Sequence, residues 1–176
     1  MLKETEIRRL KMDLNKIALA MIDYYAGDAK RINHFLKVHA FAKIIAKAEG
    51  VPRCLTELIE ATAYLHDIGI KVSEEKYNSA SGYYQQIEGP PVARKMLEDM
   101  GVDKQIIDRI CFVIAHHHNY AKIDGIDYQI IIEADFIVNM YEENGSRDTI
   151  KSVGEKIFKT KTGLEILRKL YLEDEN

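Results

Sequence analysis

Apolar residues recur at helical spacing along almost the whole chain, and the alternation typical of β-strands is nearly absent. In the first predicted helix the inward positions are Ile7, Leu10, Leu14, Ile17, Met21 and Tyr25. The chain has 176 residues, which is the length of one domain or at most a tight pair. We therefore expect an all-α, single-domain helical bundle of about six to eight helices.

Glycine and proline divide this pattern into segments. Further helices are predicted at about 30–49, 52–66, 92–100, 103–117 and 127–143, followed by one or two short helices. Residues 69–91 differ, because their glycines, prolines, serines and asparagine interrupt any long helix. We expect a long irregular segment there, with room for one helical turn, that either covers a site as a lid or packs on the surface.

Charge and cysteine content exclude several classes of protein. The 25 basic and 28 acidic residues give a net charge of -3, without the strongly cationic surface used for bulk nucleic-acid or anionic-membrane binding. Cys54 and Cys111 are too few to staple a fold or to form a thiolate metal site. The charged first residues lack a signal-peptide core, and no stretch approaches the roughly 20 apolar residues of a membrane span. We expect a cytoplasmic protein with no membrane partner.

Four polar residues lie on the apolar sides of predicted helices: His34, His66, His117 and Asp135. A buried carboxylate costs several kcal/mol unless it meets a cation or a metal, and no basic residue lies at helical spacing from Asp135. A lone inward histidine is more often a core residue with a hydrogen-bond partner, and His39 and His116 fit that description. Four helices are therefore predicted to direct a histidine or an aspartate into one core.

The doublet His66-Asp67 is harder to explain as core packing. Adjacent residues lie about 100° apart on a helix, so both side chains can flank one ion only at the edge of a helix. Gly69 follows after Ile68, where it can end the helix and leave room for a ligand.

The order His34, His66-Asp67 and Asp135 resembles the HD-domain superfamily of metal-dependent phosphohydrolases, which is named for that His-Asp doublet. The surroundings are similar too, in Arg31-x-x-His34, in the stretch 63–69 and in the stretch 132–135. The resemblance covers about residues 30–140. It implies one HD-type domain over residues 1–176, with the terminal helices packed on that core.

The resemblance implies four ligands for a first metal ion: His34, His66, Asp67 and Asp135. For the branches that hold two ions it implies further ligands at Glu88, which stands in place of a histidine, and at His117 and His118. One ion and two ions both stay open. Imidazole and carboxylate ligands suit Mn, Fe, Co, Ni, Zn or Mg.

The implied reaction is cleavage of a phosphate ester of a nucleotide or a similar small phosphorylated molecule by metal-activated water. Asp67 would orient the water, and His117 would pass a proton to the leaving oxygen. Arg31, one turn before His34 on the same side of its helix, and Lys71 are the candidates for binding the phosphate.

Two other functions stay open. One is a regulatory module that binds a metal or a nucleotide without turnover, and the other is a di-iron oxygenase, because the superfamily also includes a few oxygenases. A homo-oligomer stays open as well, since the first helix or the last two helices could form an interface.

Overall fold

The computed structural model describes residues 12–173, and these residues form helices and no strand. In chain order the helices are α1 (Leu14–Tyr24), α2 (Ala29–Ala48), α3 (Arg53–Leu65), α4 (Gly69–Tyr77), α5 (Gly82–Asp99), α6 (Lys104–Ile114), a 3-10 turn (Tyr120–Lys122), α7 (Ile126–Glu142), α8 (Arg147–Lys156) and α9 (Lys161–Tyr171). The predicted all-α fold is confirmed. Ile7 and Leu10 lie outside the described residues. Within residues 12–173, every helix is too short or too polar to cross a bilayer.

Local signals set the ends of several helices. The side chains of Asp13, Asp28 and Asp103 accept hydrogen bonds from backbone N–H groups in the first turns of α1, α2 and α6. Gly50 and Gly101 follow α2 and α5 with φ of 70° and 72°, a left-handed conformation that glycine adopts at little steric cost. The segments between helices are therefore short.

Residues 69–77 and 82–91 are helical, with four residues between the two helices, and the prediction of a long irregular segment is wrong. Gly69 marks a close approach between α4 and α5: a Cβ atom there would lie 2.6 Å from the carbonyl oxygen of Gln85 and 2.8 Å from the backbone nitrogen of Gly89. Pro90 and Pro91 lie inside α5. The glycines that looked like helix breakers permit tight packing of two helices, a use that depends on a neighbour which local patterns do not reveal.

Two clusters of buried side chains hold α2 and α3 in place. In α2, Val38 belongs to the cluster shared with α7, α8 and α9, and Phe35 to the cluster shared with α1, α5 and α6. In α3, Ile59 belongs to the first of these clusters and Leu65 to the second. Each fully buried aliphatic side chain contributes about 1.5–3 kcal/mol to stability. The helices that carry His34 and His66 are thus fixed by packing on both sides.

Candidate metal centre

The structure brings together His34, His66, Asp67 and Asp135 from three helices. His34 lies in α2, His66 and Asp67 follow the last residue of α3, and Asp135 lies in α7. Nε2 of His34 is 3.3 Å from Nε2 of His66 and 3.2 Å from Oδ1 of Asp135. Oδ1 of Asp135 is also 3.4 Å from Nε2 of His66, and Oδ2 of Asp67 is 3.5 Å from both of these ring nitrogens. Two ring nitrogens and two carboxylates therefore converge on one point.

Each imidazole at this centre is held by its other nitrogen. Nδ1 of His66 is 2.8 Å from the carbonyl oxygen of Ala63, and Nδ1 of His117 is 2.9 Å from that of Ile114. Nδ1 of His34 is 2.9 Å from a carboxylate oxygen of Glu142. Because carbonyl and carboxylate oxygens accept hydrogen bonds, Nδ1 is the donor in each ring. In the neutral ring, Nε2 then carries the lone pair that a metal ion requires.

His117 gives this donor set a second side. Its Nε2 atom is buried, lies 3.4 Å from Oδ1 of Asp67, and has no hydrogen-bond partner among the described residues. Two groups of donor atoms, each within 4.8 Å of one another, result: His34, His66 and Asp67, and Asp67, His117 and His118. Lone pairs that face carboxylates are poorly satisfied without a cation. The residues fit a divalent ion, held by the ligand types that Mn, Fe, Co, Ni and Zn accept.

The pKa values of these side chains agree with this fit. Burial alone would raise the pKa values of Asp67 and Asp135. The charge of His66 nevertheless lowers the pKa of Asp67, and hydrogen bonds from His34 and His66 lower that of Asp135. Burial disfavours the charged form of His66, but Asp67 and then Asp135 raise its pKa to about 9. A proton therefore stays between the rings and carboxylates near neutral pH, and a metal ion would displace it.

A cavity of about 430 Å³ lies against the centre and reaches His34, Asp67 and Asp135. Its wall also includes Tyr25, Arg31, Tyr64, Gln85, His118 and Asn139. The volume lies within the range of small-molecule sites, which is about 300–1,000 Å³.

Arg31 and His118 lie where a phosphate-binding group and a further ligand are expected. The guanidinium of Arg31 lines the cavity but also donates to the carboxylates of Asp28 and Glu74. Nε2 of His118 is 3.3 Å from Oε1 of Gln85, and burial followed by the charge of His117 lowers the pKa of His118 to about 4. His118 is therefore neutral near pH 7 and able to act as a ligand.

The structure does not bring Lys71 or Glu88 to the centre. The ammonium of Lys71 donates to the carbonyl oxygen of Tyr24, 3.0 Å away, and is not part of the cavity wall. The carboxylate of Glu88 accepts hydrogen bonds from Lys76 and from the hydroxyl of Tyr77, and it belongs to neither group of donor atoms. The charge of Glu88 is offset by Lys76.

Three residues that support the ligands are not predicted from the sequence. The hydroxyl of Tyr25 donates to the carbonyl oxygen of Asp67, 2.8 Å away, and the amide of Asn139 donates to Oδ1 of Asp135, 3.0 Å away. The third residue is Glu142. Asp135, Asn139 and Glu142 are four and seven residues apart, a spacing that places them on one side of α7 and could have indicated a shared role.

Comparison with known proteins agrees with this arrangement. The family model described as HD domain matches residues 31–159. The crystal structure of a predicted HD superfamily hydrolase from an uncultured Thermotogales bacterium superposes with a TM-score of 0.70 at 19% identity, covering 97% of this chain and 91% of that chain. At that identity the likeness shows the shared fold. No curated protein sequence matches the chain.

Proposed function

The chain belongs to the HD domain family, and on that premise we propose that it is a metal-dependent phosphohydrolase that cleaves a phosphate ester of a nucleotide or a similar small molecule. The observation that carries the proposal is the convergence of the His34, His66, Asp67 and Asp135 donor atoms at the wall of a cavity. The hydrolase named in the Thermotogales structure has the same fold, which supports hydrolysis as the reaction.

Four residues would hold a divalent ion in this proposal: His34, His66, Asp67 and Asp135. When bound, the ion would supply an activated water and would neutralise the phosphoryl oxygens. The cavity reaches three of these residues, so a substrate bound in it would lie next to the ion.

Asp67 has the best position to orient the attacking water. Its Oδ2 atom faces His34 and His66, while its Oδ1 atom faces His117. Its backbone is held by the hydroxyl of Tyr25. A carboxylate fixed between the two groups of donors can accept a hydrogen bond from a water and aim it at phosphorus.

His117 would deliver the proton to the leaving oxygen. Its Nδ1 is anchored on the carbonyl oxygen of Ile114, so Nε2 is the atom that gains and gives up the proton. Asp67, His117 and His118 would instead bind a second ion if two are present, and Nε2 of His117 would then serve as a ligand. Elemental analysis at one or two equivalents distinguishes these two roles.

The charges around the cavity favour a substrate with a single phosphate. Arg31 and Lys30 are the cationic side chains among its described lining residues, and Arg31 already contacts two carboxylates. Asp28 and Glu143 add negative charge to the same wall. A nucleoside monophosphate or a smaller ester fits this balance better than a polyphosphate, whose outer phosphates would face those carboxylates.

The test is hydrolysis by the purified full-length protein loaded with Mn²⁺, Co²⁺ or Ni²⁺. A panel of phosphomonoesters, phosphodiesters and nucleotides is supplied, and Asp67→Asn is compared with wild type. We expect turnover of a monoester and a loss of at least about 100-fold in Asp67→Asn. Asp99→Asn is the control, because Asp99 is exposed on α5 and pairs only with Lys95 among the described residues. A metal-loaded wild type that cleaves nothing in the panel would favour the binding module without turnover.

A further inference from the structure

We propose that Glu142 is a positioning residue of the metal centre: its carboxylate holds the ring of His34 so that Nε2 faces the other ligands. The inference rests on the proposed function, because it assumes that His34 binds a metal ion. Glu142 lies 108 positions after His34 in the chain and contacts its ring in the fold.

Glu142 contacts the ring nitrogen of His34 that does not face the converging donor atoms, and it also forms part of the cavity wall. It is the last residue of α7, and its side chain is 13% exposed. One carboxylate oxygen lies 2.9 Å from Nδ1 of His34, and the other accepts a hydrogen bond from Lys37, which is one turn further along α2. Lys37 therefore offsets the charge of the carboxylate.

His34 has a side-chain partner where the other two rings have a backbone partner. His66 and His117 lie just after the ends of α3 and α6, where carbonyl oxygens of the last turn have no intrahelical partner, and these oxygens hold their Nδ1 atoms. His34 is inside α2, where the carbonyl oxygens accept the hydrogen bonds of the helix. The carboxylate of Glu142 from α7 accepts the hydrogen bond from Nδ1 of His34, as backbone carbonyl oxygens do for the other two rings.

The same helix carries a matched cluster that does not reach the centre. Glu60 of α3 lies 2.8 Å from Nε2 of His39 and accepts a hydrogen bond of 2.8 Å from Lys43. Its side chain is 6% exposed. Removing Glu60 therefore deletes a buried carboxylate bonded to a histidine and a lysine of α2, and leaves the donor atoms of the centre in place.

The experiment is a Co²⁺ titration of the full-length protein after treatment with a chelator, followed by visible absorption and calorimetry. We expect Glu142→Ala to weaken Co²⁺ binding about 10- to 100-fold and to change the absorption bands, because a ligand ring has lost its orientation. Glu142→Gln keeps an acceptor oxygen for Nδ1, so it should recover binding to within about tenfold of wild type. Glu60→Ala should lower the unfolding midpoint and leave both the affinity and the bands unchanged.

Three results would overturn the inference, and they differ in what else they affect. A wild type that binds no Co²⁺ would overturn the proposed function together with the role of Glu142. If Glu142→Ala bound Co²⁺ as tightly as wild type and with the same absorption bands, only the role of Glu142 would be overturned. Equal weakening in Glu142→Ala and Glu60→Ala would show a general effect of lost packing instead of positioning.

Discussion

Helix α2 carries two clusters of the same three residue types with different consequences. In one, Glu142 contacts Nδ1 of His34 and Lys37. In the other, Glu60 contacts Nε2 of His39 and Lys43. The first ring turns its remaining nitrogen toward His66, Asp67 and Asp135, whereas the second ring stacks on Tyr64 with a centroid distance of 4.1 Å.

The two rings have similar partners, so neither burial nor residue type separates a structural histidine from a candidate ligand. What separates them is the surroundings of the ring nitrogen that does not contact the glutamate. The Glu60 cluster satisfies its own charges, so it stabilises the contact between α2 and α3 and needs no further partner. The Glu142 cluster delivers a lone pair to a place where two carboxylates already converge. Breaking each cluster in turn should therefore separate metal binding from stability.

The largest effect is expected from Asp135→Ala. This change removes the carboxylate that lies 3.2 Å from Nε2 of His34 and 3.4 Å from Nε2 of His66, so the rings lose their shared anionic partner. We expect loss of the bound transition metal, or affinity at least about 100-fold weaker. Elemental analysis of protein purified without chelators measures it, with Glu60→Ala as the control that keeps its metal. Stoichiometric metal in Asp135→Ala would remove Asp135 from the ligand set.

A smaller effect on the free energy of unfolding is expected from pH. Its sign differs between the rings of the centre, His34 and His66, and the ring of His39. Burial opposes the charged form of His34 and His66, yet the nearby carboxylates raise both pKa values, that of His66 to about 9. Their protonation therefore stabilises the metal-free fold fully below about pH 6.5, and this contribution is lost as the pH rises toward 9. Burial lowers the pKa of His39 in spite of Glu60, so that ring stabilises the fold above about pH 6.5 and loses its contribution as the pH falls.

Thermal unfolding between pH 5.5 and 8.5 measures both effects. The Tm of the metal-free protein should fall by roughly 5 °C from pH 6.5 to 8.5, and saturating Co²⁺ should remove that fall because the metal replaces the proton. His39→Gln should reduce the loss of stability on the acid side and leave the alkaline side unchanged. A Tm that changes with pH in the same way with and without Co²⁺ would contradict the assignment of the protons to the centre.

The parts of the fold and site that sequence analysis predicted are those whose signals are local. His34, His66 and Asp135 follow apolar helical faces, and the His66-Asp67 doublet stands beside a glycine, so a few neighbouring residues indicate each one. The all-α fold follows from the same periodicity. These signals predict which residues converge, but not what lies behind them.

The predictions that were wrong or missing depend on contacts between distant segments. Gly69 looks like a helix breaker, yet its lack of a side chain serves the close approach of α5. Lys71 follows the doublet closely, but it donates to the backbone of Tyr24 from α1. Glu142 supports a ring 108 residues earlier in the chain, and only the packing of α2 against α7 brings the two together.

The smallest effect is expected from the two lysines. The side chains of Lys37 and Lys43 are both 41% exposed, so replacing either one with methionine should lower the free energy of unfolding by less than about 1 kcal/mol. Lys37→Met keeps the hydrogen bond between Glu142 and Nδ1 of His34. It removes the cation that offsets the negative charge of Glu142, and this makes Nε2 of His34 more basic. Co²⁺ binding should therefore become tighter by up to about threefold in Lys37→Met and stay unchanged in Lys43→Met. A tenfold loss of Co²⁺ affinity in Lys37→Met would instead mean that Glu142 keeps its position only while the lysine holds it, and the lysine would then belong to the positioning machinery.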